Sequence, residues 1–152
     1  MNLVLIASAW ITLVSVVSAA QGGQSERQFS EQITHAIANV RSGNSPSART
    51  EAAEQLAELT RKVDSKKLDD RTVADLVSLL DASDDSVVYW VARCLGNLGS
   101  RASSAIPKLQ KKLAEVDCIE GSKTSASGIR FALSQLGAPP APSKCAPIPK
   151  TQ

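Results

Sequence analysis

Residues 84–99 read DDSVVYWVARCLGNLG. Val87, Trp90, Val91, Cys94, Leu95 and Leu98 recur at spacings of three, four and seven, which is one broad apolar face of a helix. Asp84 or Asp85 stands where a helix needs a cap for the amides its first turn leaves unpaired. Gly99 suits the left-handed conformation that closes a helix. The stretch therefore predicts a buried helix, with Trp90 in the core and Cys94 as a small buried thiol.

The same reading extends both ways. Phe29, Ile33, Ala36, Ile37 and Val40 predict a first helix from about Ser25 to Arg41, broken by Ser42-Gly43-Asn44-Ser45-Pro46. Ala52, Ala53, Leu56 and Leu59 mark a second helix reaching about Val63, and Lys66 and Lys67 lie in a polar joint. Val73, Leu76, Val77 and Leu80 are the face of a third, with Asp70 or Thr72 as its cap. After the quoted helix, a fifth carries Ile106, Leu109 and Leu113, with Pro107 in the first turn, where no internal amide bond is lost. A sixth carries Ile129, Ala132, Leu133 and Leu136 and ends at Gly137.

These helices repeat. Leu95, Leu98 and Gly99 recur as Leu133, Leu136 and Gly137, a shift of 38. Leu56 and Leu59 precede Leu95 and Leu98 by 39, and Leu76 and Leu80 recur as Leu109 and Leu113 after 33. The five extra residues between those shifts fall around Cys118 to Lys123. A period of this size points to stacked helix pairs.

On those residues the chain resembles a known family. DASDDSVVYWVARCLGNLGSRASSAIPKLQKKL (81–113) resembles a HEAT repeat of the short bacterial type, also seen in phycobilin-lyase-like proteins. The resemblance is carried by Asp84, Val87, Ala92, Leu95, Gly96, Leu98 and Gly99, then Ala105, Ile106, Pro107, Leu109 and Leu113. It covers Val73 to Leu113 best, and Ser125 to Gly137 and Phe29 to Val63 less closely. The family usually has Arg where this chain has Val88 or Tyr89, which unsettles a surface ion-pair pattern and not the fold.

The resemblance implies an all-α, right-handed solenoid of about three antiparallel helical hairpins, HEAT/armadillo-like. It implies a curved scaffold in which the second helix of each pair lines the partner-binding side. The fourth helix would then offer Val88, Tyr89, Arg93 and Asn97. Tyr89, Arg93, Asn97 and, on the sixth helix, Arg130 are the expected partner-binding residues, since Tyr and Arg make strong interface anchors.

The chain opens on MNLVLIASAWITLVSVVSAAQ, apolar and uncharged from Leu3 to Val17 and followed by the small residues Ser18, Ala19 and Ala20. This reads as an export signal over 1–20, cut before Gln21, although no Lys or Arg precedes the apolar run. A repeat domain over 21–137 and a proline-rich tail over 138–152 follow. The mature chain is then periplasmic or secreted, with no stable membrane insertion after cleavage. An oxidising compartment favours disulfides. A Cys118–Cys145 disulfide would pin the tail, GAPPAPSKCAPIPKTQ, against the last hairpin, where Ile148 and the tail would cover Phe131, which lies off the Ile129–Leu133–Leu136 stripe.

Charge is uneven. Residues 21–85 hold 8 basic and 12 acidic groups, and residues 86–152 hold 9 and 3. That asymmetry steers a charged partner without the dense basic stripe of a nucleic-acid binder. No cofactor or metal is expected. His35 is the one histidine and has no thiol or carboxylate at ligand spacing. No C-x-x-C, nucleophile elbow or phosphate loop occurs. Glu51, Glu54 and Glu58 share one side of the second helix, with Glu58 placed to pair with Arg61 and Lys62, a solvated face. Adjacent Asp84 and Asp85, like Asp69 and Asp70, read as caps and turns rather than carboxylates flanking a substrate. The expected function is a non-enzymatic scaffold for a protein partner, adaptor or inhibitor. An enzyme or small-ligand reading would need His35 or a reactive Cys94.

Overall fold

The computed structural model describes residues 17–118 and 121–139. Six α-helices occur among them: α1 (Val17–Ser42), α2 (Pro46–Lys62), α3 (Asp70–Ser78), α4 (Asp85–Asn97), α5 (Ile106–Val116) and α6 (Ser125–Gln135). Short 3-10 turns, Ser65–Lys67, Leu79–Asp81 and Gly99–Ala105, link them. The helices pair as α1–α2, α3–α4 and α5–α6, and the second members stack into one layer with α4 between α2 and α6. This is a HEAT/armadillo-like solenoid of helical hairpins, as the periodicity requires.

The stacking register follows the repeat. Leu56, Leu95 and Leu133, the residues related by 39 and 38, are each 0% exposed. Leu76, Leu80, Leu109 and Leu113 pack into the same continuous core. Burying each such side chain contributes about 1.5–3 kcal/mol, so the aligned leucines offset part of the entropy of ordering a helix pair.

The helix ends show why the segments stop where they do. Gly99 and Gly137 take φ of +54° and +69° after α4 and α6, a region L side chains rarely adopt. Pro46, expected only as a breaker, opens α2 instead. Its missing amide is one that a first turn leaves free, and the Ser45 hydroxyl accepts from Ala48 N at 3.1 Å. The cap of α3 is Asp69, not Asp70 or Thr72: its carboxylate accepts from Thr72 N at 2.7 Å. That amide bond, the largest cause, holds the Asp69 carboxyl below the usual carboxylate range. The first helix begins at Val17, eight residues before the expected Ser25 and ahead of the expected cleavage point.

Of the expected disulfide, Cys118 is disulfide-bonded, whereas Cys94 is a free, buried thiol. Cys145 lies outside the described residues, as do residues 1–16 of the expected export signal and residues 140–152 of the tail with Ile148. The described last hairpin is held by packing of α5 on α6 and by Arg130, which donates to the Asp117 carbonyl oxygen at 3.1 Å and pairs with the Asp117 carboxylate. No helix among the described residues is long and apolar enough to cross a membrane.

Candidate functional site

Helix α4 is the middle of the stacked layer, and its flanks are used before its solvent side is. Toward α6, a Cβ on Gly128 would stand 2.7 Å from the Tyr89 carbonyl oxygen, and one on Gly96 would stand 2.7 Å from Phe131 Cε1. Only glycine lets the two helices come this close. Phe131 therefore lies down across Gly96, and the Arg93 guanidinium stacks on its ring, 3.8 Å from the centroid. Tyr89, one turn before Arg93, packs against Gly128 and meets Trp90 edge-on with centroids 4.9 Å apart. Tyr89, Trp90, Arg93 and Phe131 are all partly exposed. They form one aromatic patch with a cation on it.

Toward α2, the bonds are polar. Asn97 donates to the Ala57 carbonyl oxygen at 3.1 Å and to Thr60 Oγ1 at 3.4 Å. Arg49 pairs with Asp84 at 2.8 Å. The expected capping role of Asp84 and Asp85 is thereby corrected. Asp84 stands at the N-cap position of α4, but its side chain makes no capping bond. Asp85 reaches across to α6 instead and accepts from Ser125 N at 3.2 Å and from the Ser125 hydroxyl. An aspartate there satisfies an unpaired amide and favours the positive end of α6.

The sequence-expected partner residues thus separate by role. Tyr89 and Arg93 belong to the patch. Asn97 is committed to α2, and Arg130 to Asp117. Val88 is buried, with 2% exposure. Trp90 is half in the core and half in the patch. Phe131 is covered by Arg93 among the described residues, and its role was missed because its own helix stripe does not include it. The signal was present all the same: Arg93 and Phe131 are 38 apart, the spacing of adjacent repeats, so they are ladder neighbours.

The chemical candidates are otherwise engaged. Cys94 is fully buried, and burial pushes its thiol up to about 12 against a hydrogen bond from Thr60. It remains protonated and inert at neutral pH. His35 lies exposed on α1 and shares a hydrogen bond with the Asn39 side chain at 3.2 Å. No group of three His, Cys, Asp or Glu able to hold a metal occurs among the described residues. Glu58 pairs with Arg61 at 2.5 Å, and Glu51 and Glu54 are exposed, the solvated face expected of α2. An open cleft of about 590 Å³ beside α3 is lined by Lys66, Asp70, Arg101 and four serines. Its arginine is spent on Asp70 at 2.6 Å and on the Leu68 carbonyl oxygen.

A family model described as HEAT repeats matches residues 33–118, more than half of the 152-residue chain. No curated protein and no solved structure gives a match.

Proposed function

Because this chain belongs to the HEAT-repeat family, we propose that it is a non-enzymatic scaffold that binds a partner protein on the solvent side of its α2–α4–α6 layer. Repeats of this kind bind through the extended surfaces that stacked helix pairs create. The observation that carries the reading is the Tyr89–Trp90–Arg93–Phe131 patch. Three of the chain's five aromatic residues gather there, partly exposed, on a chain with only 3% aromatics. Aromatic side chains and arginine are the residue types that dominate binding energy at interfaces. The reading draws on the family's fold and not on its phycobilin-lyase-like members.

A photo-crosslinker placed at Ser86 on α4, beside the patch, and another at Lys111 on α5 test it. Capture of one protein at stoichiometric yield from Ser86 and not from Lys111 is the expected result. Equal capture from both, or none from Ser86, rejects the layer as the binding side. Activity of the captured protein with and without the chain separates an adaptor from an inhibitor.

The same proposal places the protein outside the cytoplasm, periplasmic or secreted. Support comes from the uncharged run Leu3–Val17 and the small residues that follow it. Cleavage before Gln21 would leave the described core positions of α1, Ile33, Ala36, Ile37 and Val40, in the mature chain. Mass spectrometry of the recovered protein should find Gln21 at its start. A chain that keeps Met1 and stays in the cytoplasm rejects export.

A further inference from the structure

Arg41, Arg49, Arg61, Arg101 and Arg130 each meet a carboxylate. Arg93 meets none among the described residues. Among the described residues it lies instead on the Phe131 ring, whose centroid is 3.8 Å from the guanidinium carbon. Stacking uses the flat face of a guanidinium and leaves its edge, where the N–H donors lie. No buried side-chain nitrogen or oxygen lacks a partner among the described residues, so that edge opens to solvent. Tyr89 stands one helical turn before it, with Trp90 against the Tyr89 ring. The result is a fork of donors, held in orientation by one ring and rimmed by two more.

A fork fixed in this way fits a planar anion that can take two parallel hydrogen bonds. The surroundings choose among anions. The neighbouring helix α2 exposes Glu51 and Glu54, and Glu54 precedes Arg93 by 39, the repeat spacing. A polyanion such as a nucleic-acid backbone would lie across those carboxylates and be repelled. A single carboxylate entering from the α6 side avoids them. The aromatic rim further favours an apolar residue beside that carboxylate, where its burial adds to the ion pair.

We infer that Arg93 is the receptor for one carboxylate of the partner protein, carried on a segment whose adjoining residue is apolar or aromatic. The inference rests on the docking role proposed for the same layer. It assigns the partner's chemistry: an exposed Asp, Glu or chain terminus next to an apolar side chain.

The full chain, panned against a phage-displayed random-peptide library, supplies the probe. Enriched peptides are synthesised, and their affinities are measured for the native protein and for Arg93→Gln, Arg93→Lys and Trp90→Ala. Enriched peptides should share an acidic residue beside an apolar one. Arg93→Gln should weaken them about tenfold or more, the scale of a charge-assisted pair. Exchange of the peptide's acid for its amide should cost the same on the native protein and nothing further on Arg93→Gln. Arg93→Lys should recover only part, because a point charge lacks the fork. Peptides that need Trp90 but ignore both the arginine and their own acid overturn the carboxylate assignment and leave the docking layer standing. Peptides indifferent to Trp90 and Arg93 alike, or no enrichment at all, overturn both. The peptide exchange uses unaltered protein, so the outcome does not hang on the folding of any variant.

Discussion

On its α2 flank, helix α4 is joined by hydrogen bonds: Asn97 to Ala57 and Thr60, and Arg49 to Asp84. On its α6 flank it is joined mainly by shape: Gly128 under Tyr89 and Gly96 under Phe131, with Asp85 holding Ser125 at one end. The leucine register is the same on both sides. What differs is what fills the remaining space. Polar bonds need defined distances but tolerate small shifts, whereas a missing Cβ sets a hard limit on approach. The close approach on the α6 side is also what turns Tyr89 and Phe131 outward and gives Arg93 a ring to lie on. The aromatic patch is therefore a product of the glycine seam.

The largest effect should come from closing that seam to glycine's advantage no longer. In Gly128→Ala the new Cβ meets the Tyr89 carbonyl oxygen, a backbone atom that cannot turn aside. Overpacking of this kind costs about 1–3 kcal/mol. Gly96→Ala meets the outer edge of Phe131, a partly exposed ring that can swing, and should cost less in stability while unseating Arg93. Denaturant melts of the two variants check the order. An equal and negligible loss for both would show that the seam is looser than these distances.

Next is the polar end of the same flank. Asp85→Ala removes the acceptor for the amide and hydroxyl of Ser125, a residue with 1% exposure. Loss of such a cap, with a buried hydroxyl left unpaired, should cost about 1–2 kcal/mol. Amide exchange should quicken in the first turn of α6 rather than of α4. Exchange that quickens in α4 would mean Asp85 caps its own helix after all.

Where reading of the sequence succeeded and where it fell short follows the same division. The six helices, the Gly99 and Gly137 stops and the leucine ladder were legible because each depends on local spacing or on a periodic apolar face. The caps were not fully legible. A local rule assigns Asp84 and Asp85 to the first turn of α4, yet the fold gives their carboxylates partners that lie 35 and 40 residues away. Asn97 stands on the solvent-facing side by the pattern of its own helix, yet its partners lie one repeat back. Phe131 lies off the apolar stripe of its own helix, and only the 38-residue shift to Arg93 relates it to the patch. Tertiary partners of polar and aromatic side chains are invisible to a pattern confined to one helix.

On the α2 flank, pH sharpens the contrast. Burial raises the Cys94 thiol from 9.0 to about 12. A raised folded value means the folded state keeps a proton that the unfolded chain releases. This contribution is intact below pH 9 and is lost as pH rises from there toward 12. Its slope is at most about 1.4 kcal/mol per pH unit. Cys94→Ala should lower stability at neutral pH through its lost packing but flatten that alkaline slope. The slope, read from denaturant melts at pH 8 and pH 10, is the diagnostic quantity. An identical slope in both proteins would place the alkaline loss on other groups.

The smallest of these effects belongs to Asn97, and it decides whether the α2 flank is held by one bond or by a network. Asn97→Ala removes one side-chain donor to the Ala57 carbonyl oxygen and leaves another, the Thr60 hydroxyl at 3.0 Å. The net worth of a single such bond is about 0.5–1.5 kcal/mol. Thr60→Val removes the hydroxyl that Asn97 also uses, while keeping its volume. If the three groups act as a unit, the double variant should lose clearly less than the two single losses added together. Simple additivity would mean that Asn97 holds Ala57 independently of Thr60, and that this flank, like the glycine seam, is set by one contact at a time.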